Sequence, residues 1–284
     1  MKRFEIVTKR QLSDTVNWYT IYAPLIAKHA QPGQFIILRV DEYGERIPIT
    51  MAGHDAAAGT IDIIVQSVGK TSILLSSLHE GDALADVVGP LGRATEMEGL
   101  KKVLIVAGGV GNALAYPIAT GMHKAGANVE MICGFKNKDI VILEDEYRQG
   151  VDTLHILTDD GSYGEKGFTT VKMQELLDAG NQYDEIFTVG PAIMMKLVSE
   201  MATKYGIKSV ASLATYMIDG TGMCGGCRAI IGGESKFVCV EGPDFDGALI
   251  DWDQLMNRGR TYAAEEEEAR HHICRLTGGV REYA

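Results

Sequence analysis

Short apolar runs rich in β-branched and aromatic residues, broken by turn signals, fill the first third of the chain. Phe4–Lys9, Val16–Tyr22, Gln34–Val40, Ile47–Ala52, Ile61–Ser67 and Ala83–Val88 are the runs. Pro32-Gly33, Asp41-Glu42-Tyr43-Gly44 and Gly81-Asp82 separate them. Six short strands at this spacing predict a small antiparallel β-barrel. One helix interrupts it over Thr71–Leu78.

The pattern changes near residue 100. Lys102–Ala107, Val129–Cys133, Thr153–Leu157 and Glu185–Val189 read as apolar strands. Helical stretches over Asn112–Ala125, Thr170–Leu177 and Ala192–Tyr205 alternate with them. That alternation predicts an α/β domain with a parallel sheet covered on both faces. From about Ser209 the chain returns to strand and loop, and its last stretch is charged, with Glu265–Glu268 in a row. The expected division is therefore 1–98, 99–208, 209–250 and a tail of 251–284.

Composition narrows the function. The 284 residues allow two domains, and an apolar share of 46% allows sizeable cores. A formal net charge of −11 argues against nucleic acid or an anionic membrane as the partner. Val103–Met122 has the length of a membrane span. However, Gly108, Gly109, Gly111, Asn112 and Pro117 inside it read as strand, glycine turn and helix. Met1–Ile6 shows no signal-peptide pattern. Five cysteines without an export signal predict reduced thiols and metal in a cytoplasmic protein.

Three of those cysteines form a motif. Asp219-x4-Cys224-x2-Cys227-x11-Cys239 is the plant-type [2Fe–2S] spacing with aspartate in the first ligand position. Gly232-Gly233 is a hairpin turn signal midway between Cys227 and Cys239, which sets them roughly opposite each other. The same pair suits a disulfide, and zinc also takes Cys-x2-Cys. Zinc usually needs a second such pair, and here a single cysteine stands in its place. Cys133 ends an apolar strand and reads as core. Cys274 follows His271-His272 in the tail.

Two glycine loops suit phosphate. Gly108-Gly109-Val110-Gly111-Asn112 follows a strand and opens a helix, so its N–H groups can meet a pyrophosphate. It departs from G-x-G-x-x-G because Leu114 holds the third glycine position. Gly190-Pro191 follows the last strand at the same sheet edge. Gly69-Lys70-Thr71-Ser72 opens the barrel-domain helix and reads equally as an N-cap or a diphosphate site.

Barrel, α/β domain and cysteine loop in that order resemble the ferredoxin–NADP reductase superfamily over about residues 1–260. Within it, the chain resembles the branch that holds the electron-transfer subunit of dihydroorotate dehydrogenase B. It is most similar there to the small subunit of NADH-dependent reduced ferredoxin:NADP oxidoreductase, the flavin-bifurcating transhydrogenase. Ile218–Arg228 carries that resemblance, since an aspartate ligand is similar to the small subunit while the dihydroorotate branch uses four cysteines. The resemblance implies FAD at Arg46, Ile47, Pro48, Ile49 and Thr50, at Ile64, Val65 and Gln66, and at Gly69, Lys70, Thr71 and Ser72. Thr50 would lie near the flavin ring. It implies NAD(H) at Gly108, Gly109, Gly111, Asn112, Asp159, Asp160, Gly190 and Pro191, and a [2Fe–2S] cluster at Asp219, Cys224, Cys227 and Cys239. It further implies a larger partner with a second FAD, [4Fe–4S] clusters and an NADP(H) site, through which ferredoxin reacts.

The family's arginine usually stands two or three positions before the Ser/Thr; here Ile47 is there and Arg46 one further back. Val189-Gly190-Pro191 replaces the Cys-Gly-Pro of many relatives, so no catalytic cysteine stands there. No protein acid–base pair is required, because flavin accepts hydride directly. Lys136 and Lys138 suit a 2′-phosphate, so the choice of NADH over NADPH rests on the resemblance. An electron-transfer subunit for dihydroorotate oxidation and a zinc-stabilised, non-catalytic binding module are the alternatives.

Overall fold

A computed structural model describes residues 1–276, the last seven as backbone only. The first domain runs β1 (Ile6–Gln11), β2 (Val16–Tyr22), α1 (Pro24–Ala27), β3 (Phe35–Arg39), β4 (Ile47–Asp55), β5 (Thr60–Gln66), α2 (Lys70–Ser77) and β6 (Asp86–Leu91). Its six strands pair antiparallel in the order β1-β2-β5-β4-β3-β6. Closure comes from the segment before β6: the Ile6 N–H donates to Asp82 O at 2.8 Å and the Leu84 N–H to Phe4 O at 3.0 Å. That explains why β6 starts three residues later than expected. Ile6, Tyr19, Ile21, Ile36, Leu38, Ile61 and Ile63 fill the interior.

Next come β7 (Lys102–Gly108), α3 (Gly111–Lys124), β8 (Asn128–Phe135), α4 (Glu144–Gly150), β9 (Thr153–Thr158), β10 (Glu165–Lys166), α5 (Thr169–Asp178), β11 (Glu185–Val189), α6 (Ala192–Lys204) and β12 (Lys208–Ser212). The rest is β13 (Arg228–Ile231), β14 (Glu234–Phe237), α7 (Val238–Glu241), β15 (Asp244–Asp246), α8 (Trp252–Arg258) and α9 (Ala263–Leu276). The second sheet has the order β10-β9-β8-β7-β11-β12-β15 and is parallel except for β15. Alternate β7 side chains point to opposite faces. Val103, Ile105 and Ala107 therefore join one core, and Leu104 and Val106 the other. Among the described residues no helix is long and apolar enough to cross a membrane.

Two features bind the parts together. The core on the α3 side also holds Val16, Ala52 and Ile64 of the barrel, so α3 is packed between barrel and sheet. A third core joins Phe35 and Ile37 of the barrel to Cys227, Ala229, Val238, Cys239 and Trp252. β12 runs across residue 208, and β12 and β15 tie the cysteine segment to the parallel sheet.

A buried acid sits at the junction. Asp244 on β15 accepts from the Thr95 hydroxyl at 2.5 Å, while its Oδ1 has no hydrogen-bond partner among the described residues. Burial pushes its carboxyl up to about 6. An acid whose folded pKa exceeds its ordinary value holds its proton longer in the folded chain. The stability it contributes is complete below the usual carboxyl value near 4 and is lost as pH rises through about 6. Asp244→Asn should match the unaltered protein in thermal midpoint near pH 4 and exceed it increasingly up to pH 7. A gap that stays constant over that range, measured by calorimetry, contradicts this account.

Candidate functional site

A cavity of about 760 Å³ opens between the barrel, the N-terminus of α3 and the segment after β12. Ile47, Pro48, Ile49, Thr50, Ile64, Val65, Gln66, Gly69, Lys70, Thr71 and Ser72 all line it. Its walls are largely apolar at β4 and β5, while the α2 N-terminus supplies polar groups. This combination suits a flat ring joined to a diphosphate. Thr215 Oγ1, which lines the cavity from the segment after β12, is buried without a hydrogen-bond partner among the described residues. The residues therefore fit a flavin dinucleotide.

At α2, the two readings of the Gly69–Ser72 loop meet. Ser72 Oγ accepts from the Val68 and Gly69 N–H groups at 3.0 and 2.9 Å, so it closes the helix start itself. The Thr71 hydroxyl donates to Glu45 at 2.7 Å. Lys70 is the cation on this wall. Arg46 does not line the cavity: it pairs with Asp86 at 3.4 Å. Arg46 precedes β4 and Asp86 opens β6, on either side of β3, where opposite charge draws them together.

The nucleotide-loop residues gather at the carboxyl ends of the parallel strands, where ligands bind in such sheets. Gly108–Asn112 follows β7, Asp159-Asp160 follows β9 and Gly190-Pro191 follows β11. A Cβ on Gly108 would lie 2.7 Å from Met194 Sδ and 3.1 Å from Pro191 Cδ, so the first and last of these loops are in contact. Gly109 has φ +57 and open space on its Cβ side. Burial and the adjacent Asp160 raise the Asp159 carboxyl, opposed by Lys136. Asn112 is fully buried at the start of α3, and its Oδ1 has no hydrogen-bond partner among the described residues. The resemblance implies Asn112 as a nucleotide contact; in this structure its side-chain Nδ2 donates to Gly109 O and Gly134 O.

The cysteine loop is partly preformed. β13 and β14 pair with Ile231 opposite Glu234 and Arg228 opposite Phe237, around Gly232 and Gly233 at φ +60 and +82. Positive φ at both turn residues is the two-residue hairpin geometry that glycine favours. This register continues Cys227 to Val238, whose N–H donates to Cys227 O at 3.3 Å. The first turn of α7 then brings Cys239 round, and the two sulfurs lie 3.3 Å apart. That exceeds a disulfide bond of about 2.05 Å, so both are thiols.

Asp219 and Cys224 lie on the adjoining glycine-rich arm. The Asp219 carboxylate accepts the Thr221 N–H at 2.9 Å and the Cys224 N–H at 2.7 Å, which hold it below the usual carboxylate range. Cys224 is exposed, whereas Cys227 and Cys239 are buried. Among the described residues no three metal-ligating side chains converge on one point. The donor chemistry still fits an iron–sulfur cluster. Backbone N–H groups of Gly226 and Cys239 point at Cys224 Sγ and Cys227 Sγ at 3.5 Å, as hydrogen bonds to cluster sulfurs do. Burial and the neighbouring Cys227 push the Cys239 thiol up to about 12, so ligation there releases a proton. Cys133 is buried core, as its strand pattern indicated. His271, His272 and Cys274 lie outside the described side chains.

Comparison with known proteins now bears on these three sites. The iron-sulfur cluster binding domain of dihydroorotate dehydrogenase B matches residues 214–251. The Thermotoga maritima homolog of the dihydroorotate dehydrogenase B (NAD(+)) electron transfer subunit is 42% identical over 274 residues, covering 96% of each chain. The chain belongs to this electron-transfer subunit family.

The NADH-dependent reduced ferredoxin-NADP oxidoreductase, solved for insight into flavin-based electron bifurcation, has a chain with TM-score 0.91 and 41% identity. The match covers 96% of this chain and 98% of that one. The ferredoxin reductase of carbazole 1,9a-dioxygenase shares the fold at TM-score 0.60 and 19% identity, over 72% and 65% of the two chains. As a member of the electron-transfer subunit family, the chain is an oxidoreductase subunit that works with a partner catalytic subunit. Its matched domain is an iron–sulfur domain, which favours a cluster over zinc.

Sequence reasoning missed several cavity residues of this family member. Val110 and Leu114 line the cavity from α3, and Leu213, Met217 and Pro243 from the segment after β12. A usable signal was present for Leu114: a large apolar residue in the third glycine position, one turn beyond Val110, marks a helix face that meets a ligand.

Proposed function

We propose that the chain holds FAD in the barrel cavity, NADH at the carboxyl edge of the parallel sheet and a [2Fe–2S] cluster on Asp219, Cys224, Cys227 and Cys239. In this reading it is the small subunit of a cytoplasmic, flavin-based electron-bifurcating NADH-dependent ferredoxin:NADP oxidoreductase. The observation that carries it is Asp219, which stands in the first ligand position on a backbone that superposes on such an enzyme over nearly its whole length.

A flavin held here would supply hydride acceptance from nicotinamide and single-electron release, and an iron–sulfur cluster would supply one-electron transfer. The chain's own residues supply position and environment. Val110 and Leu114 present one α3 face to the cavity while the Gly109–Gly111 turn before them opens to the sheet edge. One helix start therefore serves both ligands and sets their spacing. Ile47, Pro48, Ile49 and Ile64 exclude water from the ring. Lys70 and the α2 N-terminus favour the diphosphate charge. The buried Cys227–Cys239 pair lies in the core that also holds Phe35, itself a cavity residue, so the two cofactor sites share a wall.

The partner is a larger subunit with its own FAD, [4Fe–4S] clusters and NADP(H) site, and ferredoxin reacts through it. A second reading has its own support: the matched domain and the Thermotoga maritima relative both point to dihydroorotate oxidation. Affinity purification from the native host separates the two. The expected complex is yellow-brown, contains iron beyond that of one [2Fe–2S] cluster, and reduces NADP⁺ with NADH and reduced ferredoxin. A partner that oxidises dihydroorotate overturns the bifurcating assignment, and an iron-free, colourless chain overturns both readings.

A further inference from the structure

The glycine turn after β7 is fastened from below. Asn112 is fully buried, and its Nδ2 donates to Gly109 O at 2.8 Å and Gly134 O at 3.2 Å. The Gly109 N–H also donates to Gly134 O, at 2.9 Å. One side chain thus joins the turn that follows β7 to the end of β8. The main chain of Asn112 is held as well: the Tyr147 hydroxyl of α4 donates to Asn112 O. Tyr147 is fully buried, and its ring meets Tyr116 edge-on at 5.7 Å, which in turn meets Trp18 of the barrel at 5.8 Å.

We propose that Asn112, braced by Tyr147, is a positioning residue for the nicotinamide nucleotide. It does not touch the nucleotide. It sets the height of the Gly109–Gly111 turn against β8, so that the turn's free face meets the pyrophosphate. The Tyr147–Tyr116–Trp18 contacts reference that height to the barrel, and hence to the flavin. The inference rests on the proposed NADH site at this edge. Its physical basis is that main-chain donors reach the two carbonyls separately, the Asn112 N–H reaching Gly109 O at 3.2 Å and the Gly109 N–H reaching Gly134 O at 2.9 Å, whereas the Asn112 side-chain amide bridges both at once. The side chains of Leu and Ala supply no such bridge.

The test uses the full chain loaded with FAD and cluster, with NAD⁺ affinity measured by calorimetry and NADH reduction by steady-state kinetics. Asn112→Ala is expected to weaken NAD⁺ binding and raise the NADH KM about tenfold, with kcat within about twofold. FAD and iron content should be unchanged. Asn112→Leu, of similar size but with no side-chain donor, should be at least as weak as alanine. Tyr147→Phe keeps the ring and loses only the brace, and should weaken binding about threefold. It decides the matter if the Asn112 variants do not fold. Unchanged affinity in the variants of a protein that NADH does reduce overturns the role of Asn112 alone. An unaltered protein that neither binds NAD⁺ nor is reduced by NADH overturns the nucleotide site together with it.

Discussion

Cys227→Ala should empty the chain of iron while leaving NADH-to-dye activity within about threefold of the unaltered protein. Cys227 is 1% exposed, its sulfur lies 3.3 Å from Cys239 Sγ, and it accepts the Cys239 N–H. Alanine removes one of the two preformed ligands, and the exposed Cys224 cannot replace it from its arm. Iron should fall from about two per chain to below about 0.2, with loss of the reduced-state EPR signal. In the proposed arrangement the flavin lies on the other side of the shared wall, so dye reduction should persist. The thermal midpoint should also fall, because ligand binding to a folded site adds to folding free energy. Asp219→Cys provides the contrast. Thiolate is a softer ligand than carboxylate, so that variant should keep its iron but change its EPR spectrum and potential. A Cys227→Ala protein that retains both irons contradicts the cluster assignment. An unchanged spectrum in Asp219→Cys removes Asp219 from the ligand set.

Gly111→Ala should lower the thermal midpoint by up to about 3 °C and raise the NADH KM more than tenfold. Two effects oppose each other here. Alanine ordinarily stabilises a helix position by about 1 kcal/mol relative to glycine. Against that, the added Cβ would lie 2.5 Å from Val189 O and 2.8 Å from Gly190 Cα. Both are main-chain atoms at the end of β11, so no side-chain rotation relieves the contact and the start of α3 must move. Overpacking of this kind costs about 1–3 kcal/mol, which outweighs the helix gain. Movement of α3 also carries Val110 and Leu114 with it, so flavin affinity should weaken in parallel. A variant as stable as the original, with an unchanged KM, shows that α3 is not pinned by β11.

Where the sequence was legible, the signal was local. Strand runs such as Val16–Tyr22 and Glu185–Val189 carry apolar and β-branched residues that specify them without reference to neighbours, and both strands lie where expected. Other elements depend on tertiary pairing. β15 is three residues, Asp244-Phe245-Asp246, and only its pairing with β12 makes it a strand. α4 has one buried side chain, Tyr147, in a run of charge, so it carries no apolar period. The hairpin was readable from Gly232-Gly233, but its register places Cys227 beside Val238, and α7 supplies the final step to Cys239. The cavity-lining segments at Ile47–Thr50, Ile64–Gln66 and Gly69–Ser72 were visible as motifs. The wall from Ser212 to Thr215 was not, because its role comes from where β12 ends and not from its composition.

The walls of the large cavity come from Phe35, from Val110 and Leu114, from Ser212 to Met217, and from Ala263 to Ala269 on α9. This spacing has a consequence for biosynthesis. A growing polypeptide that has left the ribosome only as far as residue 208 owns the barrel and most of the parallel sheet, yet still lacks one side of the flavin chamber. If this cavity holds the flavin, as proposed, cofactor loading should follow translation, when the last segment arrives. Among nascent chains arrested at successive lengths, stable flavin fluorescence quenching should appear only once α9 has emerged.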